Sequence, residues 1–211
     1  MNIRRAPTRR TLVIMVKAPT AGRVKTRLTR GIGICAATGF YRHTLANLAA
    51  RLSNARRWTL VLAVTPDTSL HTSALPGSRA TRVPQGRGDL GQRMQRVIDH
   101  APRGPVIIIG SDVPNITARD IAEAFRCLAG HDAVIGPSPD GGYWLVGLNR
   151  HPRRIQPFRN VRWSTDEARA GTLANLRGRR VACVAEKADI DERDGWIAAA
   201  ATRGRRIIAP T

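Results

Sequence analysis

Short, continuous apolar runs alternate with longer amphipathic segments along the chain. The runs "TLVIMVK" (11–17) and "PVIIIG" (105–110) have the composition of strands buried on both faces. Residues 33–53 instead carry apolar side chains three and four positions apart, which predicts a helix with one apolar face. Strands that alternate with helices in this way predict a mostly parallel central sheet with helices on both faces.

The same two patterns predict the remaining elements. Further strands are expected at "WTLVLAVT" (58–65), "DAVIGP" (132–137), "YWLVGL" (143–148) and "RVACVAE" (180–186). Further helices are expected at "GDLGQRMQRVIDHA" (88–101), "TARDIAEAFRCLAG" (117–130), "STDEARAGTLANLR" (164–177) and "DERDGWIAAAA" (191–201). Thr117 is the expected cap of one helix, and Ser164 and Glu167 have the spacing of a capping box in another.

The length and the flanks of the chain indicate one domain. A chain of 211 residues can bury a core of its own, and we expect a domain at 11–202 between basic tails at 1–10 and 203–211. The longest apolar runs are too short to cross a bilayer, and the basic start lacks the apolar region of a signal peptide, so a cytoplasmic protein is expected. The spacing of the 3 cysteines and 5 histidines predicts neither a disulfide framework nor a zinc site.

Positive charge is concentrated at the start of the chain. The formal net charge is +20, and residues 1–66 carry thirteen Lys or Arg without one carboxylate. Such a field would attract nucleic acid, anionic lipid or phosphorylated small molecules. The sequence has no aromatic stacking run, zinc finger or basic heptad helix, so a nucleic-acid partner is not expected. Arginine spread over solvated faces is the alternative interpretation of the charge.

The loop after the first strand, "KAPTAGRVKTRL" (17–28), has the composition of a phosphate-binding turn. It matches neither the Walker A nor the Rossmann pattern, because Gly22 is its only glycine. Cations near a helix start suit a diphosphate, since ammonium, guanidinium and free N–H groups all favour anions there. We therefore assign nucleotide binding to Lys17, Gly22, Arg23, Lys25 and Arg27, with a solvated basic turn as the alternative.

A carboxylate follows the second apolar strand, in "GSDVPNI" (110–116). In open α/β sheets, ligands bind outside the carboxyl ends of the strands. Asp112 stands just past such an end in a strongly basic chain, which makes it a candidate for chemistry.

Six segments give the chain a specific resemblance to a known family. "VKAPTAGRVKTRL", "GDLGQRM", "GSDVPNI", "GPSPDGGYWLVGL", "WSTDE" and "DIDERDGW" occur in the order found in a family of small bacterial GT-A-type transferases. Some members are described as arsenosugar-biosynthesis-type glycosyltransferases, and many have no known function. The resemblance covers about residues 11–196 and implies the single-domain GT-A fold of the nucleotide-diphospho-sugar transferase superfamily.

The resemblance also implies a divalent metal site. In the superfamily, the carboxylate after the central strand and a second one from a late D-x-D-like turn bind a cation that bridges the nucleotide phosphates. The matching residues are Asp112 and, in "DIDERDGW", Asp191. The implied cofactor is Mg²⁺ or Mn²⁺. The following "ERDGW" departs from the usual pattern of relatives, and Asp189 is an alternative ligand.

The stretch "PDGGYWLVGL" (139–148) contains candidates for acceptor chemistry. Its adjacent glycines permit a close approach of the backbone to a ligand. Asp140 is a candidate general base for an acceptor hydroxyl, and Gly141, Gly142 and Tyr143 are candidate acceptor-binding residues. In the alternative, Asp140 only sets a tight turn and the aromatic side chains pack in the core.

The segment "GRGDLGQRM" (86–94) resembles the part of the superfamily that lies close to the nucleotide. Asp89 and Arg93 are therefore added to the predicted nucleotide-binding residues. A helix cap with an exposed arginine is the alternative.

The implied function is metal-dependent transfer from a nucleotide-diphosphate sugar to a small acceptor, with Lys25 and Asp140 as catalytic residues. Nucleotidyl transfer from an NTP to a phosphorylated acceptor is the alternative, since both reactions need a cation and the Lys25 loop. The single glycine of that loop favours glycosyl transfer, because nucleotidyltransferases typically wrap a triphosphate with several glycines. A polyanion- or nucleic-acid-binding protein is a third interpretation, and fold similarity does not choose among the three.

We expect the protein to bind DNA or RNA only weakly at physiological salt, because its basic residues come without an aromatic stacking platform. Fluorescence anisotropy with labelled oligonucleotides over a range of salt concentrations measures this. A nucleic-acid function predicts tight binding that falls steeply with salt and persists in Asp112→Ala. That result, without sugar-nucleotide binding, would overturn the transferase interpretation.

Overall fold

The two longest apolar runs form neighbouring strands at the centre of a sheet, where both are buried along most of their length. The computed structural model describes residues 9–53, 57–76, 79–150 and 155–188. Within these ranges the strands are β1 (Thr11–Lys17), β2 (Thr59–Thr65), β3 (Thr81–Pro84), β4 (Pro105–Gly110), β5 (Ala133–Pro137), β6 (Tyr143–Asn149) and β7 (Val181–Cys183). Most of the expected tails and the expected closing helix 191–201 lie outside the described residues.

Helices separate most of the strands. They are α1 (Thr26–Ile32), α2 (Ile34–Ser53), α3 (Leu90–His100), α4 (Ala118–Cys127) and α5 (Ala168–Asn175), with a 3₁₀ turn at Asp67–Ser69. The predicted Thr117 cap of α4 is confirmed, and it forms a capping box with Asp120. In the described part of the chain, no helix is both long enough and apolar enough to cross a membrane.

The strand order is β3-β2-β1-β4-β6-β5-β7, and every neighbouring pair is parallel except the two that include β6. A parallel connection needs a crossover of about a dozen residues or more. Only residues 138–142 join β5 to β6, so these strands form a hairpin and β6 runs against its neighbours. The predicted mostly parallel sheet is confirmed.

Apolar side chains cover the sheet on both faces, as predicted. On one face, α2 and α4 pack Leu45 and Phe125 against strand residues such as Ile14. On the other face, Val97 of α3 and Leu176 near α5 pack against the opposite side of the same strands. Burying a large aliphatic or aromatic side chain contributes about 1.5–3 kcal/mol, so these two layers hold the strand order in place.

Three features of the fold differ from the sequence prediction. The short elements α1 and β3 are not predicted by the pattern, because neither carries a full period of apolar residues. The prediction of a capping box formed by Ser164 and Glu167 is wrong. Helix α5 begins at Ala168, and Ser164 has φ 61°, a left-handed conformation that takes its side chain out of a capping position. Glu167 instead forms an ion pair with Arg162 at 2.8 Å.

Both tyrosines of the chain have hydroxyl groups bonded inside the fold. Tyr41 is 3% exposed, and its hydroxyl donates to the Lys17 carbonyl at 2.9 Å. The Tyr143 hydroxyl lies 3.3 Å from Thr172 Oγ1. Burial raises the pKa of both phenols well above their ordinary value of 10.0, and for Tyr41 the nearby Asp112 carboxylate raises it further.

We expect the free energy of unfolding to fall as the pH rises above about 10. The unfolded chain releases both phenolic protons there while the folded chain keeps them, and stability decreases wherever the unfolded state binds fewer protons. Tyrosinate absorbance should therefore rise together with unfolding measured by circular dichroism. Ionisation of both tyrosines near pH 10 in a still folded protein would contradict this. Tyr41→Phe should make the pH dependence shallower.

Candidate active site

Two loops meet at the carboxyl edge of the sheet because β1 and β4 are parallel neighbours. One loop follows β1 and ends at Lys25, and the other follows β4 and carries Asp112. The Lys25 Nζ lies 3.4 Å from Asp112 Oδ2. The Lys25 side chain is 4% exposed and that of Asp112 is 43% exposed, so the ion pair joins a buried ammonium to a carboxylate that solvent can reach. The structure thus brings together two of the predicted site residues.

The backbone of Lys25 is held in an uncommon conformation. Its φ of 49° and ψ of 45° are left-handed, which costs about 1–3 kcal/mol for a residue other than glycine. The amide and the hydroxyl of Thr29 both donate to the Lys25 carbonyl, at 3.0 and 3.1 Å. Gly22 supplies the turn before it, with φ 73°. Strain retained at a residue whose side chain pairs with Asp112 is typical of a functional position.

The other oxygen of Asp112 is tied to a buried hydroxyl pair. Ser111 donates to Asp112 Oδ1 at 3.3 Å, and Ser111 Oγ lies 3.1 Å from the Tyr41 hydroxyl. The Tyr41 oxygen also accepts from the Lys17 amide at 3.2 Å. Helix α2 therefore connects the end of β1 to the end of β4 through one side chain.

A cavity of about 570 Å³ opens beside Asp112. The charged side chains that line it are Asp112, Asp140, Asp166 and Arg27, so carboxylates predominate there in a strongly basic chain. Its apolar lining includes Met15, Leu90, Met94 and Trp163. Leu90 is 43% exposed, an unusual degree for a large aliphatic residue in this protein. The volume is within the range of small-molecule sites.

The turn between β5 and β6 forms one wall of the cavity. Asp140 is exposed, and its Oδ1 accepts from the Gly142 amide at 3.0 Å. Gly141 has φ 80°, and a side chain there would collide with the backbone of Asp166. Arg169 donates its amide to the Gly141 carbonyl at 3.1 Å. The adjacent glycines thus allow this turn to pack directly on the segment before α5.

Tyr143 and Gly142 line the same cavity. The Tyr143 ring lies edge-on to Trp163 with 6.4 Å between ring centroids. Trp144 is 3% exposed, and its indole donates to the Ala185 carbonyl at 3.0 Å, which matches the alternative that this aromatic side chain packs in the core.

The remaining predicted nucleotide-binding residues differ in whether they line the cavity. Lys17, Arg23 and Arg27 are exposed, and of these Arg27 lines the cavity. Asp89 caps α3 by accepting from the Gln92 amide at 2.7 Å. Arg93 donates to the Gly88 carbonyl at 2.8 Å. The bonds of Asp89 and Arg93 match the structural alternative for that segment, and neither is among the described residues that line the cavity.

Sequence reasoning missed Asp166 and Trp163 as cavity residues, although the segment "WSTDE" contributed to the resemblance. No spacing rule identifies them, because they reach the cavity only through the packing of this segment against Gly141. Ser164, which lies between them, has a left-handed backbone conformation that the sequence pattern does not predict either.

The described residues contain no group of three His, Cys, Asp or Glu side chains that could hold a metal ion. Asp112 is one exposed carboxylate of the predicted pair, while Asp191 and the alternative Asp189 lie outside the described residues. The last described residues run beside the Asp112 loop, where Lys187 donates to the Asn115 carbonyl at 3.4 Å and pairs with Asp120 at 3.1 Å.

Comparison with solved structures places the fold among nucleotide-diphospho-sugar transferases. A protein of Desulfovibrio desulfuricans G20, provisionally named a nucleotide-diphospho-sugar transferase, is 28% identical with a TM-score of 0.79, over 87% of this chain and 82% of that one. The 4-diphosphocytidyl-2C-methyl-D-erythritol synthase of Anaerococcus prevotii DSM 20548 is 11% identical with a TM-score of 0.63, over 94% and 99%. Rv0371c of Mycobacterium tuberculosis H37Rv, in complex with manganese, is 16% identical with a TM-score of 0.53, over 92% and 98%.

Sequence comparison assigns the chain to a family. No curated protein matches the chain significantly. Residues 47–165 match the family described as "Uncharacterized protein conserved in bacteria (DUF2064)". This stretch is more than half of the chain and includes Asp112, Asp140 and the "WST" residues before α5. The protein belongs to the DUF2064 family and has the fold of a nucleotide-diphospho-sugar transferase.

Proposed function

We propose that this protein is a divalent-metal-dependent transferase that takes a sugar from a nucleotide-diphosphate donor and passes it to a small acceptor. The observation that carries the proposal is the ion pair between the buried Lys25 ammonium and Asp112, a residue that lines the cavity. It joins a group suited to phosphate with a group suited to a hard cation, at the edge of the sheet where ligands of this fold class bind.

The donor diphosphate would lie against the loop after β1. Lys25 would contact its oxygens through a compact ammonium, and the exposed guanidinium groups of Arg23 and Arg27 would add charge-assisted contacts. Lys17 and Gly22 belong to the same loop, and Asp89 and Arg93 are proposed to lie at the nucleoside end. Because the Lys25 side chain is largely out of water, its interaction with phosphate would be little screened.

The metal would be Mg²⁺ or Mn²⁺, with Asp112 and Asp191 as protein ligands. Such cations prefer carboxylate oxygens, keep several waters, and use one or two carboxylates together with substrate phosphates. A single exposed carboxylate beside a phosphate-binding loop fits that requirement. The manganese complex of Rv0371c, which shares the fold, supports the choice of metal. When bound, the cation would neutralise charge on the departing diphosphate.

The first loop favours glycosyl over nucleotidyl transfer. The amides of Lys17, Ala18, Thr20 and Arg23 already donate to groups of the protein, and Pro19 has no amide hydrogen. A loop that wraps a triphosphate is typically rich in glycine, which lets its backbone N–H groups approach the phosphates. Gly22 is the only glycine among residues 17–28, so a diphosphate held by side chains fits this loop better.

The cavity charge supports a hydroxyl acceptor without phosphate. Asp112, Asp140 and Asp166 oppose an anionic acceptor, whereas carboxylates readily accept hydrogen bonds from hydroxyl groups. Asp140 would take the proton from the attacking hydroxyl. The Gly142 amide holds Oδ1 of this carboxylate, and no described residue bonds Oδ2, so Oδ2 would accept the proton. Gly141, Gly142 and Tyr143 would form the adjoining wall.

Nucleotidyl transfer is the second candidate. The fold is shared with the cytidyl-named synthase of Anaerococcus prevotii, which supports testing NTP donors beside sugar nucleotides. A likeness of 11% identity supports the fold only, so the choice between donors is left to binding measurements.

We expect sugar nucleotides to bind tightly only with Mn²⁺ or Mg²⁺, and Asp112→Asn to remove that metal dependence in a protein that still folds but is less stable, because the buried Lys25 ammonium loses its carboxylate partner. The variant keeps the shape of the side chain and a polar partner for Lys25 while removing the carboxylate. Calorimetry with a panel of sugar nucleotides and NTPs, with and without Mn²⁺, measures this. Glu123→Gln, an exposed change on α4, is the matched control. Metal-dependent affinity that survives in Asp112→Asn would reject the metal assignment, and preference for NTPs would favour the second candidate.

Lys25→Met should weaken nucleoside diphosphates by about 10-fold to 100-fold while leaving nucleosides almost unaffected, because a charge-assisted contact to phosphate contributes about 1.5–3 kcal/mol. Arg30→Met removes one positive charge from α1, which begins directly after Lys25, and is the control for a general effect of positive charge. Equal losses for nucleosides and diphosphates would indicate a collapsed loop rather than a lost phosphate contact.

A further inference from the structure

We propose that Tyr41 is a positioning residue that orients Asp112 and fixes the start of the Lys25 loop, an inference that rests on the proposed function. Tyr41 lies on α2 and is 3% exposed, so it would touch neither donor nor acceptor. Its influence on the site passes through Ser111, which is 6% exposed and immediately precedes Asp112.

The contacts of Tyr41 close a ring of interactions around the site. The Tyr41 hydroxyl accepts from the Lys17 amide at 3.2 Å, at the end of β1. The loop that starts there ends at Lys25, whose ammonium returns to Asp112 at 3.4 Å. Ser111 completes the ring by donating to Asp112 and lying 3.1 Å from Tyr41. The loop is therefore held at both ends by groups that also contact Asp112 or its neighbour.

The Tyr41 hydroxyl helps to fix where Ser111 lies beside Asp112. Tyr41 donates its one hydroxyl hydrogen to the Lys17 carbonyl at 2.9 Å, which holds the phenol oxygen at the end of β1. Ser111 Oγ lies 3.1 Å from that oxygen and 3.3 Å from Asp112 Oδ1. Removing the Tyr41 hydroxyl would therefore take away one of the two contacts that hold the Ser111 side chain in place beside Asp112.

The bond from Ser111 to Asp112 determines what Asp112 offers to a ligand. Ser111 holds Oδ1, while Oδ2 is the oxygen beside Lys25. An Asp112 carboxylate fixed in this way presents its Oδ2 oxygen in a defined direction, either to a bound cation or to the Lys25 ammonium. Groups that orient a metal-binding carboxylate typically change metal affinity by about 10-fold to 100-fold when they are removed.

Tyr41→Phe tests the inference because it keeps the packed ring and removes only the hydroxyl. We expect Tyr41→Phe and Ser111→Ala each to weaken Mn²⁺-dependent binding of UDP, GDP and CDP by about 10-fold to 100-fold. The double variant should lose little more than the larger single loss, because both changes break one chain of hydrogen bonds. Calorimetry gives the affinities, and thermal unfolding gives the folded fraction of each variant.

Thr38→Val is the matched control for donor binding. It removes another buried hydroxyl of α2, which donates to the Ile34 carbonyl at 2.8 Å and does not line the cavity. It should lower stability without changing Mn²⁺-dependent affinity. If Tyr41→Phe behaves in the same way, or if the Tyr41 and Ser111 losses are fully additive, the positioning role is wrong and the proposed function stands. If the wild-type protein binds no nucleotide with Mn²⁺, the proposed function fails and this inference fails with it.

Discussion

The parallel pairing of β1 with β4 is the constraint on which the candidate site depends. It brings the ends of two strands from distant parts of the sequence to one edge, so that Lys25 and Asp112 lie 3.4 Å apart. A buried ammonium without a partner would cost several kcal/mol, and the Asp112 carboxylate offsets this because it meets Lys25 while remaining open to solvent. The same pairing brings Lys17 and Ser111 within reach of one tyrosine on α2.

The direction of β5 brings further groups to this edge. Because β5 runs parallel to β4 with β6 between them, its carboxyl end lies on the same side of the sheet as that of β4. The hairpin turn after β5 carries Asp140, and Gly141 lets that turn pack against the backbone of Asp166. A single antiparallel strand in the described sheet thus adds two carboxylates to the cavity beside Asp112.

Charge is arranged on two scales in this molecule. The net charge of +20 acts at long range and would raise the local concentration of phosphate-bearing ligands, an effect that salt screens beyond about 10 Å. Inside the cavity the lining carboxylates outnumber the lining guanidinium group. At short range the cavity therefore favours positive or neutral groups over anions. A basic exterior and an acidic cavity would both serve the proposed transfer from a phosphorylated donor to an acceptor that carries hydroxyl groups and no phosphate.

The sequence by itself determined the strands β1 and β4, the long helix α2, the Thr117 cap and the candidate residues Lys25, Asp112, Asp140 and Tyr143. These follow from local periods, local turn residues and a resemblance in short segments. Tertiary structure alone decided the burial of Lys25, the link from Tyr41 through Ser111 to Asp112, the left-handed Ser164 and the place of Asp166 in the cavity. Each of these depends on which strands are neighbours and in which direction they run. A local period of two or 3.6 residues carries no information on that order, because long-range packing fixes it.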